Sequence, residues 1–130
     1  MFESADRTRR LLRGRRAEAS GRDAEAIAAA ALAREGWSVL ARRVRTPAGE
    51  IDLVAEREAL LAFVEVKARP SLAEAAHALG ARQRARLVAA AECWLAANPG
   101  HGAAGMRFDV LVVAADGSTR RIADAFRLGD

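Results

Sequence analysis

The sequence predicts an α/β domain, a mixed β-sheet with helices packed against it. Two stretches repeat apolar residues at helical spacing, and five carry the alternating or continuously apolar pattern of strands. They follow one another as helix, three strands, helix, strand, strand, an order that suits one sheet flanked by helices. At 130 residues the chain is long enough for one substantial core and too short for two. We assign residues 21–130 to that domain and residues 1–20, charged and without an apolar period, to a basic N-terminal arm.

Each element has its own local reason. "SGRDAEAIAAAALAREG" is rich in the best helix former, has Ser20 or Asp23 to cap its start and Gly36 to stop it. "WSVLARRVR" is β-rich and runs into a turn at Pro47 and Gly49. "GEIDLVA" and "LLAFVEVKAR" form the next two strands, with a turn in "REA". In "SLAEAAHALG", Ser71 and Glu74 have capping-box spacing, giving a short helix or an ordered loop. "ARQRARLVAAAECWLAANPG" places Leu87, Val88, Ala91, Trp94 and Leu95 at helical spacing, and Asn98-Pro99-Gly100 ends it. "MRFDVLVVAADG" is a buried strand entering an Asp116-Gly117 turn, and "TRRIADAFRL" returns as the last strand.

Composition narrows the function classes. The chain is 52% hydrophobic and 29% charged, as in soluble globular proteins, and no window approaches the ~18 apolar residues of a membrane span. A single cysteine, Cys93, excludes an internal disulfide and suits a reducing compartment. The basic N-terminus has no apolar segment behind it, unlike a secretory leader, so the expected location is cytoplasmic. Net charge is +4, with arginine clusters at Arg7–Arg16, in "ARRVR" (Ala41 to Arg45) and in "RQRAR" (Arg82, Arg84 and Arg86). Any one cluster reads equally as solvated surface, but three together favour a polyanionic partner such as nucleic acid.

The informative stretch is Gly49 to Arg69, where charges interrupt the best strands. Strand alternation puts Glu50 and Asp52 on one face, with Ile51 and Leu53 on the other. In the following strand Phe63, Glu65, Lys67 and Arg69 share a face, opposed by Ala62, Val64 and Val66. A turn spanning Arg57 to Leu60 then sets Asp52 opposite Glu65 and Glu50 opposite Lys67, with Ile51 and Leu53 across from Val66 and Val64. Like charges directly opposite destabilise a strand pair. A shared proton, Lys67, or a divalent cation would relieve Asp52 and Glu65. Two carboxylates and a main-chain carbonyl make a hard oxygen site of the kind Mg²⁺ takes. The plainer alternative is an ion-paired polar face on a half-exposed sheet. Lys67 adds weight to the site, because it is the one lysine among 21 basic residues and ends in a compact point charge rather than a planar fork.

"GEIDLVA" followed by "FVEVKAR" resembles the PD-(D/E)XK nuclease signature, with Asp52 as first acid and Glu65-Val66-Lys67 as the E-X-K element. More narrowly, the chain resembles the YraN-type family of small bacterial proteins, which is similar to archaeal Holliday-junction resolvases. The likeness runs from Ala24-Glu25 to the final "IADAF", includes "RQRARL" and leaves the arginine-rich arm outside. It implies a restriction-endonuclease-like fold and a metal-dependent DNA endonuclease using Mg²⁺ or Mn²⁺. Asp52, Glu65 and the Val66 carbonyl would be ligands, and Lys67 would act at the attacking water or the scissile phosphate. Glu25 would reach the same site from the first helix, and Glu50 and Gln83 would be accessory. Branched or structured DNA would be the substrate in repair or recombination, and a resolvase role would imply a homodimer. The main rival is a non-catalytic nucleic-acid-binding protein that keeps the nuclease fold. A protein adaptor with an acidic face is a third reading.

Other residues draw plainer expectations. His77 and His101 lack ligand spacing. Cys93, Trp37 and Trp94 read as core residues, and Arg107 with Asp109 as a local ion pair. No glycine-rich phosphate loop or serine nucleophile pattern is present.

Overall fold

The computed structural model describes residues 23–73 and 79–126. The basic arm at 1–20, Ser20, Glu74 and His77 lie outside them. Helix α1 occupies residues 23–34 and ends at Gly36, whose φ of 89° is the left-handed conformation of a helix stop. Strands β1 (Ser38–Thr46), β2 (Gly49–Arg57) and β3 (Leu60–Arg69) follow, then helix α2 (Ala81–Ala97) and strands β4 (Gly105–Ala114) and β5 (Thr119–Phe126). The predicted order of elements therefore holds.

The five strands form one sheet in the order β1-β2-β3-β4-β5. Neighbours are antiparallel except β3 and β4, which pair in parallel across ten residues, Leu60–Arg69 against Gly105–Ala114. A parallel pair needs a crossover, and α2 lies within it. The result is the restriction-endonuclease-like class expected, a mixed sheet with helices beside it.

The helices fill two separate cores. On one side Ala24, Ala28, Ala29 and Leu32 of α1 pack with Trp37, Leu53, Ala55, Ala62, Val64, Leu111 and Val113. The alanines let the helix sit close to the sheet. On the other side Leu87, Ala90, Ala91 and Trp94 of α2 pack with Ile51, Val54, Leu61, Phe63 and Phe108. Phe63 is fully buried, edge-on to Trp94 at 5.9 Å and stacked on Phe108 at 5.8 Å. Both tryptophans are core, as expected, and Cys93 is half-buried. Asn98 closes α2 by donating from its Nδ2 to the Trp94 carbonyl at 2.9 Å.

The β2–β3 hairpin turns through Glu58 and Ala59, both at positive φ (51° and 64°), with Arg57 paired to Leu60. This is the predicted turn, and it sets the predicted register, Leu53 with Val64. Two details differ. Ile51 and Leu53 do not share a face, since Ile51 joins the α2 core and Leu53 the α1 core. Ladder pairing between β2 and β3 also stops at Leu53 and Val64, so Asp52 does not pair with Glu65, nor Glu50 with Lys67; Glu50 pairs instead with Arg45 of β1. The change of face falls at Asp52, since Ile51 and Val54 pack with α2 while Leu53 and Ala55 pack with α1. Opposite Asp52, between the pairs Arg42–Leu53 and Val44–Ile51, Arg43 has a φ of 49°.

Candidate metal and phosphate site

Where β2 leaves β3, the two strands diverge and a cleft of about 350 Å³ opens, lined by Gly49, Glu50, Asp52, Glu65, Gln83, Arg86 and Leu87. The β1–β2 turn supplies one wall. Thr46 Oγ1 accepts from the N–H groups of Ala48 and Gly49 and donates to the Gly49 carbonyl at 2.7 Å, which fixes the entry of β2. Gly49 has a φ of 147°, open to glycine and rarely to other residues, and its Cα faces the Arg86 stem. Helix α2 supplies the other wall, with its N-cap at Gly80 and Gln83 and Arg86 on the cleft side.

Divergence exposes main-chain groups of β3 to the acids of β2. Val66 N–H donates to Asp52 Oδ2 at 2.8 Å. In an extended strand the N–H and C=O of one residue point to the same neighbour, so the Val66 carbonyl is directed to the same side. Lys67 Nζ lies 3.5 Å from Glu65 Oε1, both side chains largely buried at 15% and 22% exposure. Burial pushes the Asp52 carboxyl up to about 7, the like charge of Glu65 adds to this, and Glu25 and Glu50 push the same way; the Val66 hydrogen bond opposes them. Asp52 is therefore an acid held beside other acids.

The sequence-derived candidates divide into groups. Asp52, Glu65, Glu50, Gln83 and Arg86 line one cleft, and Lys67 and Val66 contact its acids. Glu25, on α1, is near enough for its charge to act on Asp52, but its carboxylate is bound by Arg43, Nε to Oε2 at 2.6 Å. Arg82 and Arg84 are exposed on the first turn of α2, outside the lining. Gln83 Oε1 also accepts from Gly80 N–H at a long 3.4 Å, so part of its role is to close the helix start. Arg43 had been visible only as one member of an arginine cluster. Glu25, Glu50 and Asp52 all favour its charged form, which places it over the acidic group. Nothing in its residue type signals the positive φ that puts it there.

The donor set suits a small hard cation held largely by water. Among the described residues no three His, Cys, Asp or Glu side chains converge as a ready-made metal cage. Two carboxylates and one main-chain carbonyl remain, with open positions for water and phosphate oxygens, which is Mg²⁺-like ligation. The carboxyl crowding at Asp52 is what a bound cation would relieve. His101 is paired with Glu56 at 3.1 Å. Arg107 pairs with Asp109 at 2.8 Å, as expected. No described helix is long and apolar enough to cross a membrane.

The chain has close relatives among known proteins. The chain is 58% identical over 122 residues to a UPF0102 protein of Granulibacter bethesdensis, covering 94% of this chain and 77% of that one. It is 50% identical over 107 residues to one from Rhodopseudomonas palustris, covering 82% of each. It is 51% identical over 112 residues to one from Azorhizobium caulinodans, covering 86% of each. The model of the uncharacterised protein family UPF0102 matches residues 24–113, a span that holds Glu25, Asp52, Glu65, Lys67 and Arg86 together, and the chain belongs to that family.

Proposed function

We propose that the cleft is the centre of a metal-dependent endonuclease of the PD-(D/E)XK type, hydrolysing phosphodiester bonds in DNA. The observation that carries this reading is Asp52 and Glu65 meeting where β2 and β3 part, with Lys67 held 3.5 Å from Glu65. A structural ion pair would match each acid to a cation, whereas among the described residues the one hydrogen-bond partner of Asp52 is a main-chain N–H. Asp52, Glu65 and the Val66 carbonyl would hold Mg²⁺ or Mn²⁺, which when bound supplies an activated water and charge stabilisation at phosphate. Lys67 brings a donor and a positive charge to the attacking water or the phosphate oxygen. Arg86 on the cleft wall and Arg82 and Arg84 on the next exposed positions give DNA backbone contacts. Branched DNA as substrate and a homodimer as the acting form extend the reading by analogy with resolvases.

One observation favours the rival, a nucleic-acid-binding protein without turnover: among the described residues no third acid joins Asp52 and Glu65 as a ligand, because Glu25 is occupied by Arg43. Cleavage of labelled duplex, single-stranded, flap and four-way-junction DNA with Mg²⁺ or Mn²⁺ separates the two. The nuclease reading requires cutting that Asp52→Asn and Lys67→Ala both lose. DNA retention without cutting, unchanged by Asp52→Asn and independent of the cation, favours the rival.

A further inference from the structure

The residue left over from the site is Arg43. It sits on edge strand β1, opposite Asp52, in a gap of the β1–β2 ladder, and its backbone is left-handed (φ 49°) although it carries a side chain. Such a conformation costs a branched or long residue on the order of 1 kcal/mol and is retained where surroundings enforce it. What this conformation achieves is visible in the geometry. It lets Nε reach Glu25 Oε2 at 2.6 Å across from another element, eighteen residues away in sequence. Glu25 is only 18% exposed, so the pair covers an acid that faces the same acidic group as Asp52.

We propose that Arg43 is a built-in counter-ion that competes with a divalent cation for Glu25, and so sets how tightly the cleft binds that cation. This rests on the metal-site reading above. A guanidinium at 2.6 Å on Oε2 offsets the negative charge of Glu25 and repels a cation that would share this carboxylate with Asp52 and Glu65, so each positive charge weakens the binding of the other. The guanidinium is 45% exposed, so swinging it into solvent is a small rearrangement, and the chain has room to do it at an edge strand. Arg43 is thus a positioning residue: with its guanidinium in place Glu25 is withheld, and when it leaves, Glu25 becomes the third acid of the site.

The test is Mn²⁺ binding by isothermal titration calorimetry and by electron paramagnetic resonance, with no DNA present. Arg43→Asn and Arg43→Gly are the variants, since both residues accept a positive φ and keep the fold. Because the pair is partly solvated, the expected gain is modest, about three- to tenfold tighter Mn²⁺ binding for both. The gain must vanish in a Glu25→Gln background, a coupling that a purely structural role for Arg43 would not produce. Unchanged or weaker binding in the Arg43 variants, with Asp52→Asn still abolishing binding, overturns the competition and leaves the metal site standing. An equal gain with and without Glu25 also overturns it, since Arg43 would then act through general charge. Mn²⁺ binding indifferent to Asp52→Asn overturns the metal site, and the competition with it.

Discussion

Two aspartates interrupt apolar strands of this sheet, and their surroundings are opposite. Asp109, on β4, is completely buried, yet Arg107 holds its Oδ2 at 2.8 Å and Arg121 approaches the same oxygen at 3.4 Å. Those two arginines and Arg57 also lie over the Trp37 ring, at 5.0, 5.7 and 4.6 Å, so the acid sits among cations that favour its charge. Asp52, on β2, is less buried but meets a main-chain N–H and the charges of other acids. Burial alone does not mark a functional acid. The mark is an acid whose neighbours worsen its position, an arrangement that clusters at functional sites.

The contrast can be broken most forcefully by chemistry. Asp52→Asn and Lys67→Ala are expected to reduce Mg²⁺-dependent DNA cleavage by about 10³-fold or more. Single-turnover rates on the best substrate measure this, and a folded Asp109→Asn protein should keep its rate. Stability gives the reverse ranking. Asp109→Ala removes the acid that holds Arg107 and one of the two that hold Arg121, and should cost roughly 3–5 kcal/mol in urea denaturation. Asp52→Asn should stabilise the cation-free protein by about 1–2 kcal/mol at pH 8, because a crowded carboxylate is removed.

The same acid fixes a pH dependence. Folding raises the Asp52 carboxyl from 3.8 to about 7, so between those values the folded chain holds a proton that the unfolded chain has released. The contribution of Asp52 to stability is therefore most favourable below about pH 4 and declines as pH rises through about 7. Melting temperatures of the cation-free protein from pH 5 to 8 should fall for wild type and fall less for Asp52→Asn. The smallest effect belongs to the rim. Arg82→Ala should weaken binding to all DNA sequences alike and lower the salt slope by about 1.

Much of this was legible in the residues. Apolar patterning predicted the strands and the second helix, alanine content with cap and stop residues predicted the first, and the pairing of Leu53 with Val64 followed from matching apolar faces across the Arg57–Leu60 turn. Asp52, Glu65 and Lys67 stood out because each breaks an apolar run. What period-two reading missed was the kink at Asp52. It assumes an uninterrupted pleat, and no residue type there signals the change of face between Ile51 and Leu53 or the positive φ of Arg43 opposite. The end of β2–β3 pairing at Leu53, the separate cores of Ile51 and Leu53, and the capture of Glu25 by Arg43 all lie beside that point. The turn at Glu58 and Ala59 was located without any of its usual glycine or asparagine signals, from the matching of apolar and charged faces on the two strands.

The most direct measurement is the melting temperature of wild type, Asp52→Asn and Asp109→Asn at pH 8, each with and without millimolar Mn²⁺. A ligand that binds only the folded chain stabilises it, by about 2.7 kcal/mol at a hundred times its Kd. If the crowded acids of β2 and β3 are a cation site, Mn²⁺ raises the melting temperature of wild type and of a folded Asp109→Asn protein, and leaves Asp52→Asn unmoved. An equal rise in wild type and Asp52→Asn, or none in wild type, would contradict it and return Asp52 to the ordinary polar face of a half-exposed sheet.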